Sequence, residues 1–303
     1  MNDAPPSTSA GFRSGFAAIV GAPNAGKSTL LNRLLGQKIA ITSQKPQTTR
    51  NRILGVLHRP EAQIVFLDTP GVHVARGELN TRIVEVALTT LAEVDIVLVL
   101  VDLERPDPKS EALLIDRLKA VKRPSLVVLN KIDRVRKPAI LEAAARWAAT
   151  DVFKEVVPIC AKSGAQVDVL VAAMAQYLPV GPPLYPEESL TDLSERFIAA
   201  EMIREKVFRL TGEEIPYATA VTVEQFSEKP DGSLVTIHAS IHVERDSQKG
   251  IIIGRQGSKL KRIGSDARLE IERMLGKKVF LKLFVRVQKN WSQDTKTLQR
   301  FGY

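Results

Sequence analysis

Between residues 16 and 178 short apolar runs alternate with amphipathic segments. FAAIV (16–20) precedes a helical pattern from Gly26, IVFL (64–67) precedes 78–92, and DIVLVLV (95–101) precedes 109–122. SLVVLN (125–130) then precedes 138–149, and EVVPIC (155–160) precedes 165–177. Buried strands alternating with helices of this length predict βαβ units, and so a doubly wound α/β domain with a mostly parallel sheet. Residues 178–189, LPVGPPLYPEES, hold four prolines and a glycine, which sustain neither helix nor sheet, and the domain boundary is expected there.

Beyond that segment the period changes. Leu190, Leu193, Phe197, Ala200, Ile203, Val207 and Leu210 recur every three or four residues, as in an amphipathic helix. Residues 219–226 and 234–243 alternate apolar with polar side chains and flank Pro230-Asp231-Gly232, a β-hairpin pattern. Two helices around a glycine turn are expected over 246–254 and 258–275, and a last strand over 278–288, giving the order α-β-β-α-α-β. The expected organisation is a disordered tail (1–14), an α/β domain (15–178), a linker (179–189) and a smaller α+β domain with a C-terminal tail (190–303).

Charge separates the two halves further. The chain of 303 residues carries a net charge of +9, yet residues 249–303 alone hold 14 basic against 4 acidic residues, a net of +10. Such a block suits a polyanion, and the strands interleaved with it favour nucleic acid over a membrane surface. No apolar run approaches the ~20 residues of a bilayer span, and the opening residues lack the apolar core of a signal peptide. Cys160 is the only cysteine, so a disulfide framework is excluded and a reducing cytoplasm fits.

Residues 21–28, GAPNAGKS, fit the phosphate-loop pattern G-x-x-x-x-G-K-[ST] between a strand and a helix. Gly21 and Gly26 let the backbone curl through Ala22, Pro23, Asn24 and Ala25, so that its N–H groups face phosphate oxygens. Lys27 supplies a charge between the β- and γ-phosphates, the Ser28 hydroxyl reaches Mg²⁺, and Thr29 follows on the helix. Asp68, Thr69, Pro70 and Gly71 follow the next buried strand; there the carboxylate meets Mg²⁺ through water and the Gly71 N–H approaches the γ-phosphate. Asn130, Lys131 and Asp133, in NKID, select the base. Guanine offers N1–H and N2–H₂ side by side to the Asp133 carboxylate, whereas adenine would leave that charge unpaired. Asn130 faces the N7/O6 side, and the stem of Lys131 covers a base face.

The order GAPNAGKS, DTPG, NKID resembles the translational GTPase superfamily, and SQKPQTTRNR (43–52) narrows the resemblance to the Era-like GTPases. The resemblance implies a P-loop NTPase fold, GTP or GDP as ligand, and Mg²⁺ held by Ser28, Asp68 and Thr49, with Thr48 as the alternate to Thr49. CAKSG (160–164) is similar to the fifth motif of that superfamily. It implies that the Ala161 N–H meets guanine O6 beside Cys160 and Lys162, with cysteine standing where the family usually has serine. Asn24 is associated in that group with a K⁺ ion at the phosphates, and Val72 stands where Ras-type enzymes carry a water-positioning glutamine, which implies slow basal hydrolysis. Lys27, Asn24, Thr49 and Gly71 are the expected catalytic set.

In the second domain IIIGRQGSKLKRIG (251–264) resembles the turn of a type II KH module, so Gly254, Arg255, Gln256, Gly257, Lys259, Lys261 and Arg262 are the expected RNA contacts. A G domain followed by a KH domain extends the family resemblance to about residue 290. It implies a monomeric switch that binds 16S ribosomal RNA near its 3′ end, assists small-subunit assembly and makes some peripheral membrane contact. The alternatives are a GTPase acting on another RNA, as in transfer-RNA modification, whose members carry extra domains, and a passive RNA binder. Intact Lys27, Ser28, Asp68, Asn130 and Asp133 argue against the passive binder.

Other residues read blandly. His238 and His242 form a spaced pair without a third metal ligand and are expected at the surface, and Trp147 and Cys160 as packing residues. Phe280 and Phe284 leave two readings open, RNA stacking or packing on the domain's own helices.

Overall fold

A computed structural model describes residues 11–42, 52–72, 89–212, 215, 219–294, 297, 298 and 301. The expected tail to residue 10, the first switch with Thr48 and Thr49, and most of the helix expected over 78–92 lie outside the described residues. The chain divides into two compact units, the first built from 1–36, 52–75 and 83–192, the second from 37–51, 76–82 and 193–303.

The first unit holds six strands: β1 (Arg13–Gly21), β2 (Ile53–His58), β3 (Ala62–Asp68), β4 (Ile96–Asp102), β5 (Ser125–Asn130) and β6 (Glu155–Pro158), in the order β2-β3-β1-β4-β5-β6. All neighbours are parallel except β2 and β3. The side chains of β1 to β5 are almost wholly buried, as expected of strands covered by helices, and those of edge strand β6 mostly half-buried. Helix α1 (Lys27–Leu35) packs over β1, β2 and β3, and α3 (Lys137–Ala148) over β5 and β6, while α2 (Pro108–Val121) and α4 (Val167–Tyr177) complete the alternation. Asp107 caps α2 by accepting from the Ser110 N–H at 3.2 Å, with Pro108 in the first turn. Trp147 is buried in this core with its ring edge-on to Phe153.

Strand β2 was not expected. It pairs antiparallel with β3 through a tight connection in which the Arg59 N–H donates to Ala62 O at 2.8 Å. The proline-rich segment is held to the first unit by specific bonds. Gln63 Oε1 accepts from the Leu184 and Tyr185 N–H groups at 2.6 and 2.9 Å, and Val180 bridges Arg13.

The second unit is a three-stranded sheet, β7 (Ala220–Glu228), β8 (Leu234–Val243) and β9 (Lys278–Val287), in that order. β7 pairs antiparallel with β8, and β9 parallel with it. Helices α5 (Glu195–Leu210), α6 (Asp246–Ile253) and α7 (Ser258–Leu275) complete α-β-β-α-α-β, the type II KH order. Between α5 and α7 a buried ionic cluster holds the helices: Glu270 accepts from Lys38 at 2.6 Å and from Lys206, while Glu205 pairs with Lys38 and Arg209. Among the described residues no helix is long and apolar enough to cross a membrane.

Candidate nucleotide site and RNA face

The carboxyl ends of β1, β3, β5 and β6 meet at one edge of the first unit, where the chain passes from one side of β1 to the other; ligands bind at such switch points. The backbone between β1 and α1 turns inward through two left-handed positions, Asn24 (φ 65°) and Gly26 (φ 102°). Gly26 has a second requirement. A Cβ there would lie 2.2 Å from the Asn130 Nδ2, so only glycine admits the asparagine. A Cβ on Gly71 would meet Pro23 backbone and ring atoms at 3.0 Å, which holds the DTPG turn against the phosphate loop.

Lys27 is buried, and its ammonium donates to Gly21 O at 3.1 Å and Ala22 O at 3.0 Å. Burial lowers its pKa to about 8, with the nearby Asp68 carboxylate opposing the shift. The Ser28 hydroxyl donates to Asp68 Oδ2 at 2.8 Å, so two hard oxygen ligands of the type Mg²⁺ prefers already stand together. Thr69 is fixed by its hydroxyl bond to Ile19 O at 2.9 Å. Val72 is fully buried in the apolar core, so its side chain cannot position water.

Asn130 is a bracket between loops. Its Nδ2 donates to Ala25 O at 2.7 Å, and its Oδ1 accepts from the Ala161 N–H at 3.0 Å, so the amide that sequence assigned to the base also joins the phosphate loop to CAKSG. Lys131 takes a left-handed conformation (φ 67°), and its ammonium bonds the Asp102 carboxylate. Asp133 stays exposed. Cys160 donates its thiol proton to Asp133 Oδ1 at 3.1 Å, and that bond, with Arg134 and Lys162 nearby, lowers the carboxyl pKa. The thiol therefore ties the CAKSG loop to the carboxylate of NKID.

Two contributors escaped sequence reasoning. Asp102 ends β4 beside Asn130, and besides Lys131 it accepts from the Glu104 and Arg105 N–H groups at 2.9 and 3.1 Å. A carboxylate directly ending the apolar run IVLVLV was the available signal; the structure makes it the register partner of Asn130. Arg33, on the last turn of α1, donates to the carbonyls of Ala161 and Lys162 and so fixes the CAKSG loop; nothing local in the sequence marks it.

In the second unit the turn Gly254-Arg255-Gln256-Gly257 joins α6 to α7, with Gly254 (φ 70°), Gln256 (φ 50°) and Gly257 (φ 76°) all left-handed. Arg255 and Gln256 are exposed at its tip. A Cβ on Gly254 would lie 2.7 Å from the Lys259 Cβ, so this glycine is demanded by the fold as well as by any ligand. Beside the turn, α7 and β9 enclose an open cleft of about 430 Å³, lined by Gly257, Leu260, Lys261, Gly264, Ser265, Arg268, Leu281, Lys282 and Leu283. Its apolar floor and cationic rim suit bases below and phosphates above. Arg262 is exposed, with Asp266 at 3.9 Å. Arg268 and Lys282 were not among the expected contacts.

One bland expectation needs correction, and one open reading narrows. His242 is buried, its Nε2 2.8 Å from the Thr222 hydroxyl and its ring against Phe301, which clusters with Trp291, Leu298 and Ala220 at that end of the sheet. Phe280 and Phe284 are 53% and 37% exposed, so they do not pack on the domain's helices. Among the described residues no cluster of three histidine, cysteine, aspartate or glutamate side chains could hold a metal.

The family models for "50S ribosome-binding GTPase" and "KH domain" match residues 16–131 and 214–292 respectively. GTPase Era of Geobacter metallireducens is 57% identical over 292 residues, covering 96% of this chain and 98% of that protein. GTPase Era of Geotalea uraniireducens is 56% identical with the same coverage. Among solved structures, Era in complex with MgGDPNP and nucleotides 1506–1542 of 16S ribosomal RNA matches at a TM-score of 0.92, with 41% identity over 96% of this chain and 99% of that one. A point variant of Aquifex aeolicus Era bound to GDP·AlF4⁻ matches at 0.90, also with 41% identity and the same coverage. Similarity that runs through both units at this identity has one consequence: the chain belongs to the Era family of GTPases, with a G domain followed by a KH domain.

Proposed function

We propose that this GTPase is a switch that binds small-subunit ribosomal RNA near its 3′ end through the GRQG turn and its cleft, and assists assembly of that subunit. The observation that carries the reading is the cleft itself, apolar below and cationic above, in a KH unit whose structural relative is complexed with nucleotides 1506–1542 of 16S RNA. The phosphate loop and Lys27 hold the triphosphate, Asp133 the guanine, and Asn130 keeps both loops in register. Ser28 and Asp68 would hold Mg²⁺, joined by Thr49, and the ion supplies charge neutralisation at the phosphates. Water attacks the γ-phosphorus in line, the bond to the β–γ bridging oxygen breaks, and GDP and phosphate leave. Lys27 and the N-terminus of α1 stabilise the charge that develops.

With Val72 buried, hydrolysis is slow until stimulated, and Asn24 is read as helping to hold K⁺ where other GTPases use an arginine finger. The protein acts as a cytoplasmic monomer, where ribosomal subunits assemble. Its basic C-terminal stretch also suits anionic headgroups in a peripheral contact, which co-sedimentation with anionic vesicles checks.

The test is RNA binding across a salt series, with hydrolysis assayed alongside in K⁺ and in Na⁺. Gly254→Asp would strain the turn, so the better variant is Arg255→Asp with Gln256→Asp, which leaves both glycines intact and reverses the charge at the tip. We expect affinity for a 3′-end RNA fragment to fall at least tenfold with hydrolysis intact. Unchanged affinity contradicts the cleft assignment, and equal rates in the two salts remove K⁺ from the reading.

A further inference from the structure

Strand β9 is an edge strand with two functional faces. Its inward residues Leu281 and Leu283 line the cleft, and its outward residues Phe280, Phe284 and Arg286 stand on the open face of the sheet. Lys282 belongs to both: it lines the cleft, and its ammonium lies 5.2 Å from the centroid of the Phe284 ring. On β8 the register partner of Lys282 is His238, whose ring lies 6.4 Å from Phe280 and 6.4 Å from Phe284, edge-on to both. The result is a row of Phe280, His238 and Phe284 with Lys282 beside it, while Arg286, further along the strand, pairs with Glu224 at 3.0 Å.

That row is open by construction. The opposite face of the sheet buries Val235, Ile237, Ala239 and Ile241, while Phe301 clusters with Trp291, Leu298 and Ala220 at the His242 end. Phe280 remains 53% exposed, an unusual position for a phenylalanine. Aromatic rings interleaved with Lys and Arg match single-stranded nucleic acid, whose bases stack while its phosphates meet cations. A bilayer surface or a partner helix would call for a contiguous apolar patch, which His238, Lys282 and Arg286 interrupt.

Length gives a further reason. A KH cleft clamps about four nucleotides, whereas the RNA in the structural relative spans nucleotides 1506–1542. We propose that single-stranded RNA leaving the cleft passes over β9 at Lys282 and stacks on Phe280 and Phe284, making the open sheet face a second RNA contact. This rests on the reading of the GRQG turn and cleft as the RNA site.

The experiment compares two single strands from the 3′ end of small-subunit RNA, one of about five nucleotides that the cleft alone holds and one of about fifteen that contains it. Full-length Phe280→Ala with Phe284→Ala should bind the shorter strand like the parent and the longer one at least about fivefold more weakly per ring. Its melting temperature, expected to match the parent's, reports folding. In Phe284→Trp, the longer strand should quench the new indole fluorescence and the shorter should not. Arg255→Asp with Gln256→Asp should weaken both strands; if it weakens neither, the cleft reading fails first. If that variant acts as expected while the alanine pair binds the longer strand like the parent, or weakens both strands equally, the second contact is overturned. Loss of binding to anionic vesicles with RNA affinity unchanged would overturn it in favour of a membrane.

Discussion

Asp133 is exposed, ionised and steadied by the Cys160 thiol, so its carboxylate can accept from a ligand with two adjacent donors. Asp133→Asn would present an amide N–H to the guanine amino group. Two charge-assisted hydrogen bonds at ~1.5–3 kcal/mol each imply a loss of GTP affinity of about 10²–10⁴-fold. Xanthosine nucleotides, which carry a carbonyl there, should bind in its place, and a titration with both nucleotides checks this. Lys27 gives a pH signature. In the free protein its pKa lies at about 8, so above that pH the amine is neutral, while a bound triphosphate requires the ammonium. GTP binding should therefore take up a proton above pH 8, and affinity should fall by up to about tenfold per pH unit there while staying flat below. Calorimetry in buffers of different ionisation enthalpy measures the uptake; flat affinity from about pH 7 to well above pH ~9 would contradict the burial of Lys27. These groups were legible in sequence because each motif carries its chemistry in consecutive residues. Asn130 was legible only in part: its position was read from NKID, but its bonds to Ala25 and Ala161 span 105 and 31 residues. No local pattern encodes such a bracket.

The same division holds for elements. The parallel strands announce themselves as apolar runs between helices, and all five expected runs are strands or overlap them. Strand β2 broke the rhythm, since no amphipathic segment separates it from β3, on which it turns back at once; ILGVLH before Arg59-Pro60-Glu61 was its signal, a short apolar run stopped by a turn. Glycines in these elements encode contacts invisible in sequence. Gly26→Ala would press a methyl group on the Asn130 amide at a left-handed position, displacing the bracket and the helix N-terminus together. We expect nucleotide binding to be lost, with thermal stability lowered by about 1–3 kcal/mol; full GTP affinity in this variant would show that the bracket is dispensable. Gly254, by contrast, was read in sequence mainly as an RNA contact, yet the nearby Lys259 side chain makes it structural as well.

For the whole molecule, the change of periodicity along the chain and the basic excess in residues 249–303 marked two halves, while the reading of what each does came from motifs and the family resemblance. The sequence did not disclose that residues 37–42 group with the second unit. That grouping depends on contacts such as Lys38 with Glu205 and Glu270, between residues far apart in the chain. The central claim is that a GTPase of this architecture engages the 3′ end of small-subunit RNA through its KH turn. Crosslinking the protein to RNA in cells and sequencing the recovered RNA tests it most directly. The account predicts reads concentrated at the 3′ end of small-subunit ribosomal RNA, strongly reduced by Arg255→Asp with Gln256→Asp. Reads concentrated on transfer RNA or elsewhere on the ribosome, or a 3′-end signal indifferent to that variant, would contradict it.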